Sequence, residues 1–370
     1  MSAQQIEIII LACLTALTCS LPGVFLVLRK VSLMSDAISH AILLGIVIAF
    51  FFTKTLASVW LIIAATLVGV LTVTLTEMII HTQKIKKDAA IGLVFPLLFS
   101  IGVILLNHYA NDVHLDTDCI LFGEIAFAPF NRIVIGEMDL GPQGLWVMSG
   151  ILILNLLFVT LFYKELKITT FDSDLSASLG FRPVLLNYML MTLVSITAVG
   201  AFETVGSILV VALMIVPPIG AYLLTNRLLP MIIISMAIGI LSAISGYLTA
   251  MKFDASIAGA MATLSGVIFL VILVFAPEKG LLARGVLRRW KKWDFATQTL
   301  IVHLLQAELT QADETEKVVY HMYEHMLWDH AFTSEVIAQG IEEGFLKKYE
   351  NKLSLTPFGR EKAKLAMIKK

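Results

Sequence analysis

Over the first 280 residues, apolar runs of similar length alternate with short polar breaks, near 6–28, 33–53, 57–80, 89–107, 145–163, 184–201, 205–225, 229–251 and 256–276. Each run is close to the roughly 20 residues that cross a hydrocarbon core as a helix. The pattern predicts nine membrane helices. One stretch carries a second reading, because 184–201 and 205–225 also fit one span plus a re-entrant piece, which would make eight. Beyond residue 290 the grammar changes. WDFATQTLIVHLLQAEL and DETEKVVYHMYEHMLW have the period of amphipathic helices, TSEVIAQGIEEG makes a third, FLKKYENKLSLTPFG reads as two short strands around a tight turn, and REKAKLAMIKK as a last helix. The fold class expected is an all-α polytopic membrane protein over 1–285, followed by a small cytoplasmic α+β domain over 290–370.

Composition agrees with this division. A 370-residue chain that is 58% hydrophobic and 15% charged, with mean hydropathy +0.87, is too apolar for a soluble protein of its size. The net charge of −1 hides an uneven distribution: residues 290–370 hold 11 basic and 12 acidic side chains, and the preceding 289 residues hold 16 of each. The first apolar run lacks the basic leader of a signal peptide and is long enough to stay as a helix. With nine spans, Arg29, Lys30, Lys84, Lys86, Lys87, Lys164, Lys167, Arg182, Arg227 and Lys279 fall on one side, whereas Lys54, Arg132 and Lys252 fall on the other. The positive-inside rule then puts the N-terminus outside and the C-terminal tail in the cytoplasm. Cys13, Cys19 and Cys119 form no CxxC pair and imply no disulfide framework. The chain contains no Gly-Lys dipeptide, which excludes a Walker A loop. Any ATP-driven step must therefore draw its motor from another subunit.

Within the second span, LMSDAISHAILLG places Asp36, Ser39 and His40 at i, i+3 and i+4, on one helix face. A charged side chain near the bilayer centre costs about 2.5–3.5 kcal/mol on insertion scales, so an intramembrane carboxylate marks a functional position. Carboxylate oxygen with imidazole nitrogen suits manganese, iron or zinc. Spacing alone supports this metal path and a structural Asp–His pair between two helices equally. Glu203 in AVGAFETVGSILVV lies at an external junction, where a solvated glutamate competes with a place on the pathway. The external run NHYANDVHLDTD, with His108, Asp112, His114, Asp116 and Asp118, reads as a solvated acidic loop.

Three further stretches bear on packing and partners. Ser242, Gly246 and Ala250, then Ala258, Ala262 and Gly266, form stripes that let membrane helices approach closely. Pro217 and Pro218 should bend the seventh span. The cytoplasmic KELKITTFDSDLSASLGFRP reads as a short amphipathic helix closed by Gly180 and stopped by Pro183, with Phe171, Leu175 and Leu179 on one side. Such a helix docks on a partner or lies on the membrane.

From about residue 6 to 280 the chain resembles the permease subunits of ABC importers for manganese, zinc and iron. Four stretches carry the resemblance: GVFLVLRKVSLMSDAISHAILLG, DAAIGLVFPLLFSIGVILL, FDSDLSASLG and VGSILVVALMIVPPIGAYLLT. It implies that Asp36 and His40 belong to the metal pathway, with Ser39 beside them. It also implies that Phe171, Asp172, Leu175, Leu179 and Gly180 belong to a coupling helix seated on the ATPase. The expected partners are a cytoplasmic ABC ATPase that hydrolyses ATP, an extracytoplasmic metal-binding lipoprotein, a second permease copy or a paralogue, and bacterial inner-membrane lipid. No cofactor is expected to stay bound; Mn2+, Zn2+ or Fe2+ is the cargo, manganese first, and the chain is a transporter subunit, not an enzyme. The tail has the order of a winged helix, and GFLKKYENKLSLTPFGREKA resembles the wing of metalloregulators of the diphtheria toxin repressor type. A recognition helix needs cations and amides, whereas TSEVIAQGIEEG offers Glu335, Glu342, Glu343 and one Gln339. The tail is therefore expected to contact the ATPase or to dimerise, not to bind DNA. His321, Glu324 and His325 share a helix face that is either a regulatory metal site or a solvated polar face. Two other function classes fit part of the chain: a membrane-tethered metal-responsive regulator acting through the tail, and a stand-alone ion-coupled carrier, against which the coupling-helix motif argues.

Overall fold

The structure, a computed structural model, describes residues 2–53, 59–109, 125–135, 138–310, 326, 328–349 and 352–368. The chain divides into two compact units, residues 1–280 and 281–370. In the first, the helices are α1 (Ala3–Leu28), α2 (Leu33–Thr53), α3 (Val59–His81), α4 (Lys87–Tyr109), α5 (Gln143–Leu161), α6 (Tyr163–Phe171), α7 (Ser173–Ser178), α8 (Pro183–Val205), α9 (Ser207–Leu224), α10 (Leu228–Phe253) and α11 (Ile257–Phe275). Among the described residues nine helices, all of these except α6 and α7, are long and apolar enough to cross a membrane. The region 184–225 thus forms two helices of span length, parted by Gly206 at φ +82°. By length and composition both fit the nine-span expectation rather than one span plus a shorter re-entrant piece.

Helix α1 lies at the centre of the unit, packed against α5, α8, α9 and α10. Leu11, Ala12, Ala16 and Cys19 on it are at most 1% exposed. Its buried hydroxyls bond back to their own helix, Thr15 Oγ1 to the Leu11 carbonyl at 2.9 Å and Thr18 Oγ1 to that of Leu14 at 2.7 Å. That arrangement leaves no side-chain donor seeking water in an apolar surrounding.

Two prolines fix how the other helices sit against α1. Pro22 has no N–H, so the Thr18 carbonyl loses its helical partner. Asn155 Nδ2, from α5, donates to that carbonyl at 3.2 Å and to Thr197 Oγ1 of α8 at 2.9 Å. In the same way Pro218 frees the Met214 carbonyl within α9, and α1 meets it with Gly23. A Cβ at position 23 would stand 2.1 Å from Met214 O and 3.0 Å from Pro218 Cγ. α9 runs as one helix through Pro217 and Pro218, so the bend expected there does not break it. The small-residue stripe of α10 packs as expected at Gly246, where an added Cβ would lie 2.4 Å from Met261 Cα of α11. Gly266 does not take part, since a Cβ there would meet nothing within 4 Å.

A hairpin of β1 (Arg132–Ile135) and β2 (Met138–Pro142) precedes α5, with Val134 opposite Asp139. Arg132 fastens it to α1: Nη1 and Nη2 donate to the two Glu7 carboxylate oxygens at 3.1 and 3.2 Å, and Nε donates to Asp139 Oδ2 at 2.7 Å. The Arg132 bond, with a second from the Gly141 N–H, holds the Asp139 carboxyl below its ordinary range.

The second unit consists of α12 (Leu281–Leu309), α13 (His330–Glu342), the antiparallel strands β3 (Leu346–Tyr349) and β4 (Lys352–Leu355), and α14 (Pro357–Ile368). The composition break at 285–290 falls inside the backbone of α12. Leu300, Ile301 and Leu304 of α12, Val336 of α13, and Leu346, Leu353 and Leu355 of the hairpin make a separate core. α13 ends on Gly344 at φ +75°, whose N–H bonds the Ile341 carbonyl while Phe345 N–H reaches that of Gly340. The helix expected from DETEKVVYHMYEHMLW lies outside the described residues, apart from Met326 and Trp328.

Gly23→Ala forces α1 and α9 apart and is expected to cost about 1–3 kcal/mol. Asn155→Ala orphans a buried carbonyl at a similar cost of about 1–3 kcal/mol. Both lower the midpoint of thermal unfolding in detergent by several degrees, while Gly266→Ala leaves it unchanged; equal midpoints for all three variants would refute the packing account. The hairpin has a pH signature. Asp139 is depressed when folded, so its contribution is complete above the ordinary carboxylate value of about 4 and is lost as pH falls through the lower folded value. Protection factors of the amides of 132–135 and 138–141, corrected for the intrinsic pH dependence of exchange, should be flat between pH 5 and 8 and fall below about pH 4; protection unchanged in acid would remove the Arg132–Asp139 bond from the account.

Candidate functional site

The turn between α1 and α2 sets where the second span begins. Arg29 caps α1, Lys30 takes the left-handed conformation at φ +58°, its N–H bonds the Val27 carbonyl at 3.1 Å, and the Val31 N–H reaches that of Leu26 at 3.0 Å. This double closure ends a helix sharply, and α2 starts three residues later with Asp36 in its first turn.

Asp36 and His40, one turn apart, bond to each other with 3.3 Å between His40 Nε2 and Asp36 Oδ1. The imidazole stacks on Phe95 at 5.8 Å between centroids and meets the edge of Phe99 at 5.9 Å, both from α4. Phe95 and Phe99 are themselves one helical turn apart and form an aromatic shelf for the ring. The pair is not sealed in: the Asp36 side chain is 37% and that of His40 32% exposed. Ser39, next to the pair on α2, is not open as they are: it is 2% exposed and donates its hydroxyl to the Ser35 carbonyl at 2.9 Å. The pair therefore offers one carboxylate and one imidazole on an open face, with Ser39 committed to its own helix.

Glu203 does not join them. It is exposed near the far end of α8, about 30 Å along the helix axis from Pro183. Among the described residues no three His, Cys, Asp or Glu side chains gather to hold an ion. His321, Glu324 and His325 lie outside the described residues, as do Cys119 and the acidic loop from Asp112 to Asp118. Asp329, beyond that stretch, accepts the His330 N–H at 2.9 Å and caps α13.

The stretch expected as a single amphipathic helix before Pro183 is two helices, α6 and α7, hinged at Asp172. Asp172 leaves the helical region at φ −150° and its Oδ1 accepts the Leu175 N–H at 2.9 Å, so it ends one helix and caps the next. Gly180, at φ +86°, closes α7 as expected. Pro183 does not act as the stop; it opens α8 in the first turn, where its missing N–H costs nothing. Phe171, Leu175 and Leu179 are 62%, 50% and 56% exposed, an apolar ridge.

These features, an Asp–His pair in the second span and an exposed ridge on a two-part helix, sit inside a matched region. Residues 3–276 match the ABC 3 transport family. The chain belongs to that family. It is 44% identical over 356 residues to the zinc transport system membrane protein TroD of Treponema pallidum, a match that covers 96% of this chain and 97% of TroD. It is 44% identical over 271 residues to the manganese transport system membrane protein MntD of Bacillus subtilis, covering 73% of this chain and 92% of MntD. Among solved structures it resembles PsaBC from Streptococcus pneumoniae in complex with Fab, at 29% identity and a TM-score of 0.63 over 75% of this chain and 94% of the other. The family region ends at 276, before the second compact unit begins at 281.

Proposed function

We propose that the chain is the membrane permease subunit of an ATP-driven importer of a divalent transition metal, working in the bacterial inner membrane with its N-terminus outside and its tail in the cytoplasm. The observation that carries this reading is the Asp36–His40 pair: a carboxylate and an imidazole in a membrane helix, bonded to each other, backed by Phe95 and Phe99, and still about one-third exposed. A pair buried to hold helices together would be covered. An open one suits a transient site that strips water from an ion and releases it, for which few protein ligands are wanted. Its remaining ligands would come from water or from a second permease, a copy of this chain or a paralogue, set against the same face. The names of the relatives, zinc and manganese transport membrane proteins, support the cargo class. Manganese heads the order over zinc and iron because the tail resembles manganese- and iron-responsive regulators.

The energy would enter through α7. A cytoplasmic ABC ATPase, supplied as a separate subunit, would seat the ridge of Phe171, Leu175 and Leu179, with Asp172 and Gly180 fixing the ends of the helix. ATP binding and hydrolysis would shift the permease between states in which the Asp36–His40 pair faces outside and inside. An extracytoplasmic metal-binding lipoprotein would deliver the ion. We assign residues 1–285 to the permease and 290–370 to a winged-helix module that contacts the ATPase or dimerises, supported by the helix–hairpin–helix order from α13 to α14. The acidic residues Glu335, Glu342 and Glu343 on and beside α13 oppose a role in DNA binding.

Asp36→Asn and His40→Ala should each lower metal uptake at least about tenfold, the scale on which lost coordination is felt, while the ATPase still copurifies. Uptake at the wild-type rate in both variants would overturn the assignment, and competition between manganese and zinc for uptake tests the order of cargo. The full chain in detergent should not retard its own promoter DNA at low salt; a clear retardation would favour the regulator reading.

A further inference from the structure

Where α1, α3, α6 and α8 meet beside α7, one half-buried network joins them. Arg29 Nε donates to Thr170 Oγ1 at 3.2 Å, and Arg29 Nη1 donates to Asn187 Oδ1 at 2.6 Å. The same amide donates through Nδ2 to Glu77 Oε1 at 2.9 Å. Next to Thr170, Thr169 shares a 2.9 Å hydrogen bond with Ser176 inside α7. Side-chain bonds and one peptide step thus lead from the short helix through α6, the end of α1 and α8 to α3.

We infer that Arg29 and Asn187 are positioning residues that carry movement of α7 into the membrane helices. This rests on the reading of α7 as the ATPase-facing helix. Three observations support it. Asn187 stands between opposite charges and uses both ends of its amide, so α8 cannot shift relative to α1 and α3 without breaking a charge-assisted bond. Arg29 Nη2 is buried with no acceptor among the described residues, a donor open to a different arrangement. The network borders a cavity of about 580 Å³, also lined by His81, Asp174 and Tyr188, which gives the groups room to exchange partners. A cluster of directional bonds between packed helices has discrete arrangements and does not deform continuously.

The test uses the whole complex of permease and ATPase in proteoliposomes, with Mn2+ delivered by the external binding protein. Asn187→Ala cuts the amide bridge. Arg29→Lys keeps the charge but presents a point donor in place of the fork that holds Thr170 and Asn187 together. Assembled complexes of either variant should go on hydrolysing ATP while Mn2+ taken up per ATP falls about fivefold or more, within the range of measured couplings between sites. Adding Glu77→Gln to Asn187→Ala should bring little further loss, because the bridge is already cut. Wild-type uptake per ATP in the assembled variants overturns the inference and leaves the permease reading standing. So does uptake that falls only in step with the amount of complex recovered, since that marks a purely structural role. If the wild-type complex moves no metal on ATP, the permease reading fails, and this inference with it.

Discussion

A proline inside a membrane helix removes one amide and leaves the carbonyl four residues back facing a solvent that offers no donor. α1 and α9 both carry this defect, and at each freed carbonyl a neighbouring helix packs closely. Asn155 of α5 reaches the Thr18 carbonyl freed by Pro22, and α1 brings Gly23 against the Met214 carbonyl freed by Pro218. Adjacent residues of α1 are thereby committed to α5 and α9, and Asn155 extends the first commitment to Thr197 of α8. The end of α1 follows from this. Arg29 is two turns beyond Pro22, the Lys30 turn closes the helix there, and Asp36 enters the second span from that turn.

The polar groups of α2 divide into two kinds. Ser35 and Ser39 are buried and spend their hydroxyls on the carbonyls of Ser32 and Ser35. Asp36 and His40 bond to each other, and what reaches His40 from α4 is the faces and edges of Phe95 and Phe99. Aromatic contact orients the imidazole without supplying a competing ligand. The same inventory explains why spacing alone left two readings level. Helical period puts Ser39 beside the pair, and only its back-bond shows which side chains remain open.

Elements whose cause is local were readable from residues. Nine spans followed from run length, the end of α7 from Gly180, and the two strands of the tail from alternating residues bounded by turn formers. The errors were also local rules, overruled by neighbours in the chain. Pro183 stops a helix or opens one depending on what precedes it, and the capping oxygen of Asp172 splits α6 from α7. What could not be read was contact across distant segments. Asn155 meets Thr18 across 137 residues, and Asn187 meets Glu77 across 110; nothing in the residues near either asparagine announces its partner. Phe95 and Phe99 left a faint signal in their spacing of one turn, but that spacing equally describes two side chains facing lipid.

The second compact unit has an apolar core of its own. That core gathers Leu300, Ile301, Leu304, Val336, Leu346, Leu353 and Leu355, and Thr356 caps α14 by accepting the Gly359 N–H at 2.9 Å. Arg360 of α14 grips Glu308 of α12 at 2.8 Å. Among the described residues, the buried apolar clusters of each unit are built from that unit's own side chains, so the local rules that shape each one can be read from its own stretch of sequence.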